Sequence, residues 1–324
     1  MIISRTPFRI SFMGGGTDLP AFYTEEEGLV LSTTINKYMY ITVNDRFDSS
    51  YRISYSKTEI CNSIKEIEHP IVRALLARHA PNRAGLELIS MADMPAGTGL
   101  GSSSSFTVGL LHALKAHLGE AQTAELLAAE ACRIEIEELR EPIGKQDQYA
   151  AAFGGLRTIR FLPNGEVIAD PVICSQRTFE LLEASVMIFF TGYSRSASVI
   201  LTEQKDNAKS KLSVLREMKA GALRLKRLLE AGGDLKEAGE ILHEGWLLKK
   251  SLASKISSDQ IDEWYERGLK AGAWGGKILG AGGGGFLMLL CHPERQARVA
   301  EELKDLRRIH VTFEKLGSRI IFVG

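Results

Sequence analysis

The stretch Pro95-Ala96-Gly97-Thr98-Gly99-Leu100-Gly101-Ser102-Ser103-Ser104-Ser105 constrains this chain more than any other. Glycines at every second position let backbone approach a neighbour or ligand closely and reach conformations closed to other residues. Four hydroxyl residues then stand where an amphipathic pattern begins, with Val108, Leu111 and Leu114 at helical spacing. One serine is enough to cap a helix, so four point beyond a simple cap. Unpaired N–H groups and the positive end of the helix dipole make such a junction a site for an anion. The alternating segment Gly85–Met91 is expected to be the strand that feeds the loop. The spacing is G-x-G-x-G, which is neither the dinucleotide fingerprint nor a Walker A loop; Gly276-Lys277 is followed by Ile278 and fails the latter too.

The rest of the chain reads as alternating strands and helices. Strands are expected around Val30 and Tyr38–Val43, a helix over Thr123–Leu139, and a hairpin over Leu156–Ile168 turning at Pro163-Asn164-Gly165. A second region starts with an apolar strand at Val186–Phe190. A long helix follows over Ser196–Glu230, then helices at 234–253 and 258–271, a strand at Phe286–Cys291, a helix opened by Pro293, and strands at Ile309–Phe313 and Ser318–Val323. This order predicts an α+β protein of two domains, 1–178 and 179–324. Formal net charge is zero, which excludes a general nucleic-acid footprint. No apolar run is long enough to span a bilayer, so no membrane partner is expected. Four well-separated cysteines without CxxC spacing read as reduced thiols of a cytoplasmic protein, and the histidines form no zinc pattern.

Three further clusters can carry chemistry. In Pro7–Asp18, Arg9 and Asp18 flank the glycines Gly14, Gly15 and Gly16, with Thr17 between. Arg9 is either a surface cation or a phosphate contact; Asp18 is either a helix cap or an acceptor for polyol hydroxyls. Glu135 falls on a stripe of small residues, Ala124, Ala128 and Ala131, where a carboxylate needs a cation. That cation is an Arg or Lys, or a Mg²⁺ shared with a nucleotide. Asp147 stands near the start of a short helix in Gly144–Gly155, as a cap or as a proton acceptor. Gly275–Gly285 runs straight into an apolar strand, which favours close backbone packing at a site over a linker.

In this order, the four segments resemble the galactokinase–homoserine kinase–mevalonate kinase–phosphomevalonate kinase (GHMP) superfamily over nearly the whole chain. The resemblance implies an N-terminal α+β domain and a C-terminal ferredoxin-like α+β domain with the site between them. It further implies ATP on Pro95, Gly97, Gly99, Leu100, Gly101, Ser102, Ser103 and Ser104, Mg²⁺ on Ser103 and Glu135, and Asp147 as catalytic base. Arg9 and Lys145 would lie near the transferring phosphoryl group. Galactokinases carry Gly-Glu-His-Thr-Asp where this chain has Gly14-Gly15-Gly16-Thr17-Asp18, so galactose contacts are missing. Residues 5–23 and 144–155 resemble the bacterial D-glycero-D-manno-heptose 7-phosphate kinases, which phosphorylate the anomeric oxygen. On that resemblance the acceptor is a sugar phosphate that meets Gly15, Gly16, Thr17, Asp18, Lys37, Arg195, Gly282 and Gly283. Three other readings compete: a kinase for a free sugar such as fucose, a non-catalytic sensor on the same fold, and a decarboxylase of a mevalonate-type substrate. A base and metal pair speaks against the sensor, and the surroundings of Asp18 and Asp147 against the decarboxylase.

Overall fold

The computed structural model describes residues 1–193 and 197–324. The first half runs β1 (Ile2–Met13), α1 (Pro20–Tyr23), β2 (Gly28–Asp45), β3 (Tyr51–Ser54), β4 (Thr58–Cys61), α2 (Pro70–His79), β5 (Leu86–Ala92), α3 (Ser102–His117), α4 (Ala124–Cys132), α5 (Gln146–Phe153), β6 (Arg157–Phe161) and β7 (Val167–Pro171). The second runs α6 (Gln176–Ser185), β8 (Val186–Phe190), α7 (Ala197–Asn207), α8 (Leu212–Glu230), α9 (Leu235–Lys250), α10 (Asp259–Ala271), β9 (Ala273–Ile278), β10 (Phe286–Cys291), α11 (Gln296–Glu302), β11 (Arg307–Ile309), β12 (Phe313–Glu314) and β13 (Arg319–Val323).

Among the described residues the strands form two sheets. The larger has the order β13-β1-β2-β5-β3-β4, with β6 and β12 also on β2 and β7 on β6. Its spine is β2, an 18-residue strand rich in Val, Ile and Thr, which favour a pleated, half-buried surface. Helix α3 packs on β1 and β2; at Gly109 a side chain would meet Thr6 Oγ1 at 2.9 Å, so glycine lets the helix lie close. The smaller sheet has the antiparallel order β11-β8-β10-β9. With helices between β8 and β9 and again between β10 and β11, this is a ferredoxin-like layer, as expected.

The structure corrects the sequence reading in four places. The expected division at 178/179 does not separate the sheets, because β12 and β13 return to the first one, pairing Phe313 with Ile35 and Val323 with Ile2. The expected helix over 196–230 is interrupted by a tight turn at Ala208–Lys211, where the Ser210 hydroxyl donates to the Asn207 carbonyl at 2.8 Å and competes with the helix ladder. The helix after Thr123 widens at Arg133–Glu138 into a π turn, a form concentrated at functional sites. Part of the glycine run before Phe286 is itself a strand, β9.

One detail of topology prepares the site. Strand β13 covers the outer edge of β1 only from Ile2 to Arg5. Beyond that point the edge is open to other partners: the Arg9 amide donates to the Leu100 carbonyl at 3.1 Å, and the Phe12 carbonyl accepts from Lys277.

Candidate active site

A cavity of about 250 Å³ opens where the glycine loop, the end of β1, the start of α5 and the second sheet's helices meet. Its floor is the loop ahead of α3. Gly97, Gly99 and Gly101 have φ of +71°, +84° and +75°, in the left-handed region that other residues avoid. A side chain on Gly99 would come 2.4 Å from the Leu279 carbonyl oxygen, so the loop lies against the second glycine run with backbone on backbone. Gly101 precedes α3 and brings no side chain to cap it, which leaves the first amides of the helix for a ligand. Ser102, Ser103 and Ser104 line the cavity beside them.

Arg9 ties this floor to the wall. Its Nε and Nη2 donate to the two carboxylate oxygens of Asp147 at 2.7 and 2.6 Å, and its Nη1 donates to the Gly99 carbonyl at 2.6 Å. Arg9 is 3% exposed, whereas the Asp147 side chain keeps 22%, on the cavity. Asp18 stands further along and is buried; it accepts from the Gly16 amide at 2.9 Å and the Gln146 amide at 3.4 Å. Burial raises the Asp18 pKa, those amides oppose the rise, and Asp147 adds to it. A side chain on Gly144 would stand 1.9 Å from an Asp18 carboxylate oxygen, so only glycine fits there.

Glu135, on the π turn, is fully buried. One oxygen accepts from the Ser103 hydroxyl at 2.7 Å, the other from Gln148 Nε2 at 2.7 Å. No Arg or Lys among the described residues pairs with it. Burial pushes its carboxyl up to about 7, against the pull of Ser103 and Gln148. The Gln148 amide oxygen beside it is buried without a partner. A buried carboxylate, a hydroxyl and an orphan amide oxygen are hard donors of the kind Mg²⁺ takes together with phosphate oxygens. Among the described residues, however, no group of three or more His, Cys, Asp or Glu could hold a metal by itself.

Of the residues singled out in the sequence, the structure brings Arg9, Gly15, Gly16, Asp18, Gly97, Gly99, Gly101, Ser102, Ser103, Ser104 and Asp147 to the cavity wall. Others stand behind it. Leu100 is buried and meets Arg9 through its backbone, and Pro95 accepts the Thr98 hydroxyl at 2.8 Å. Thr17 is buried and clamps Gly14 and Leu29 through its hydroxyl. Lys145 turns away: its ammonium donates to the Gly165 carbonyl at 2.8 Å and lies 5.1 Å over the Tyr23 ring. Lys37 falls in the irregularity between the Pro7–Tyr38 and Phe8–Ile35 pairs of β1 and β2, and does not line the cavity. Nor do Gly282 and Gly283, which pack on Ile256, whose carbonyl accepts from the Gly283 amide at 2.8 Å. Arg195 lies outside the described residues. Sequence reasoning missed Lys249 as a site residue, and it noted Lys277 only within the glycine run Gly275–Gly285 and in a failed loop motif, with no role of its own; both line the cavity.

Residues 55–155 match the family described as GHMP kinases N terminal domain, and residues 222–307 the GHMP kinases C terminal family. The chain is 32% identical to a D-glycero-alpha-D-manno-heptose 7-phosphate kinase of Campylobacter jejuni, over 94% of this chain and 93% of that one. It is 25% identical to a galactokinase of Pyrococcus furiosus, over 93% and 92%. The fold matches the crystal structure of a D-glycero-D-manno-heptose 1-phosphate kinase from Bacteroides thetaiotaomicron with a TM-score of 0.83 and 26% identity, over 100% of both chains. The chain belongs to the GHMP kinase family. It is an ATP-dependent sugar kinase, a phosphotransferase with a two-domain GHMP fold.

Proposed function

We propose that this kinase phosphorylates the anomeric hydroxyl of D-glycero-D-manno-heptose 7-phosphate and releases the 1,7-bisphosphate. The observation that carries the reading is the Arg9–Asp147 pair: a carboxylate is held at two points on the cavity wall, over a loop built to cradle phosphates. ATP phosphates lie on the amides at Gly97–Ser104 and the start of α3. Asp147 orients the acceptor hydroxyl and takes its proton. Phosphoryl transfer through a loose transition state asks for alignment and charge stabilisation more than for a strong base. Arg9 supplies the alignment, since one guanidinium fixes Asp147 and Gly99 together. Ser103 and Glu135 would hold Mg²⁺, which when bound neutralises charge on the phosphate oxygens. Asp18, held by the Gly16 amide, and the Gly15 backbone face the sugar hydroxyls.

Among the described residues no helix is long and apolar enough to cross a membrane, and we place the enzyme in the cytoplasm with its ATP supply. The two heptose kinases above carry names that put the existing phosphate at opposite ends of the sugar. An ADP-release assay with the 7-phosphate, the 1-phosphate, L-fucose and galactose tests the reading, with the new phosphoryl group located by ³¹P NMR. Turnover confined to the 7-phosphate, with a new resonance at the anomeric position, is expected. Preference for the 1-phosphate or for a free hexose overturns it.

A further inference from the structure

Two lysines stand in the cavity without an assigned role. Lys249, on the last turn of α9, is 6% exposed, and Lys277, on β9, is 4% exposed. The Lys249 ammonium donates to the carbonyls of Ile278, at 3.1 Å, and of Gly280. The Lys277 ammonium donates to the Phe12 carbonyl at 3.2 Å. Each ammonium has three N–H donors, so one remains on Lys249 and two on Lys277.

Among the described residues neither lysine has a counter-ion. The charges bearing on Lys249 are Lys277 and Arg9, and the charge bearing on Lys277 is Arg9, all positive. Arg9 itself is matched by Asp147. A buried cation without an anion is expensive and either sheds its proton or finds a partner. Burial and the neighbouring cations depress both, Lys277 to about 7 and Lys249 well below the usual lysine range. The fold keeps them in place nonetheless, in a wall that also presents Gly15, Gly16 and Asp18.

The two lysines stand at different distances from the glycine loop. Phe12, which holds Lys277, lies three residues beyond Arg9 on an extended strand, about 10 Å further toward Asp18 at 3.3 Å per residue. Lys249 is nearer the loop, through Gly280, whose side-chain position would fall 2.4 Å from the Gly99 Cα. An acceptor that reacts at one end and carries a phosphate at the other must set its two phosphoryl groups a sugar's length apart.

We propose that Lys277, with Lys249 beside it, is a second anion site that holds the phosphate monoester of the acceptor and sets the preference for phosphorylated over free sugars. This rests on the reading of the acceptor as a sugar phosphate. Lys37, named above among the acceptor's contacts, lies off the cavity.

The test compares Lys277→Met and Lys249→Met with the unaltered enzyme. Methionine keeps the length of the stem and suits a buried slot. The reading is the ratio of kcat/KM for heptose 7-phosphate to that for the unphosphorylated heptose. The ratio is expected to fall roughly 10- to 100-fold, the worth of one or two hydrogen bonds to a charged group, through KM for the ester. An unchanged ratio overturns the proposal, and so does an equal rise in KM for ATP, which would assign the lysines to the nucleotide's terminal phosphate. Isothermal titration of the unaltered enzyme with mannose 6-phosphate, without nucleotide, needs no variant to fold. Binding with proton uptake above pH 7 is expected, and mannose is expected to bind more weakly. Equal binding of ester and free sugar overturns the proposal. Ester binding in an enzyme that does not turn over heptose 7-phosphate would sink the proposed reaction and leave the anion site standing.

Discussion

Arg9 and Asp147 are 138 residues apart in sequence, yet they meet through two hydrogen bonds of 2.7 and 2.6 Å, and the same guanidinium also grips the Gly99 carbonyl. One side chain from β1 thus fixes the proposed base and the phosphate loop in a single rigid unit. Replacing Asp147 with Ala is expected to lower kcat by about 10²- to 10⁴-fold, the usual range for a proton-transfer group. ATP affinity, read by titration with a non-hydrolysable analogue, stays close to that of the parent. Near-normal turnover would remove Asp147 from the chemistry. Arg9→Lys loses the fork that holds both oxygens, and its kcat falls as well.

Lys145 provides the converse case. Resemblance alone sets it beside the transferring phosphoryl group, but its ammonium is bound to Gly165 and stacked over Tyr23. Lys145→Met should keep kcat within about fivefold of the parent, the scale of one lost hydrogen bond. A drop as deep as that of Asp147→Ala would mean that Lys145 swings into the cavity during turnover.

These two cases mark where the sequence is legible. Glycine and serine at fixed spacing specify a backbone shape, and the loop at Gly97–Ser104 is found where the spacing placed it. Asp18 and Asp147 were readable because each sits at a helix start, a local feature. Lys145 and Lys37 were misplaced because the direction of a side chain depends on strand irregularities and tertiary partners, which adjacent residues do not record. Lys249 gave no signal, since a Lys-Lys pair at the end of α9 looks like a basic last turn complementing the helix dipole. Its burial comes from β9 packing on that helix, a contact between distant parts of the chain. Glu135 was located through its stripe of small residues and was set beside Ser103 by resemblance alone, but its partner Gln148 was hidden for the same reason.

Gly144 has a consequence that its sequence context does not reveal. With a Cβ at this position 1.9 Å from Asp18, Gly144→Ala must push that carboxylate or the start of α5 aside. The expected result is a KM for the sugar raised about tenfold or more, while KM for ATP changes little, because a shift of even 1 Å at a positioning group can cost 10²-fold. Steady-state kinetics with each substrate varied in turn reads the split. A parallel loss for both substrates would show general damage instead.

Glu135→Gln tests the metal assignment. The amide keeps the shape and one acceptor oxygen but removes the charge that a hard cation seeks. The Mg²⁺ concentration for half-maximal activity should rise about tenfold or more, with kcat partly recovered at high Mg²⁺. An unchanged Mg²⁺ titration would leave Glu135 as a packing residue of the π turn.

The buried lysines make stability depend on pH in a defined direction. Lys277 faces Arg9 on β1 and Lys249 on α9; Asp147 on α5 is taken up by Arg9. Burial and Arg9 bring Lys277 from the ordinary 10.5 down to about 7. Between these values the unfolded chain binds a proton that the folded chain does not, so the contribution of Lys277 to stability rises with pH across that window and is lost as pH falls toward 7. Lys277→Met has no such group. Its stability in urea should therefore exceed the parent's most at neutral pH, and the gap should close as pH approaches 10.5. A saturating sugar phosphate in the parent restores the protonated lysine and should narrow the gap at neutral pH as well. A gap that ignores both pH and ligand would mean that the ammonium reaches water or a counter-ion, and the charge argument for the second anion site would fall with it.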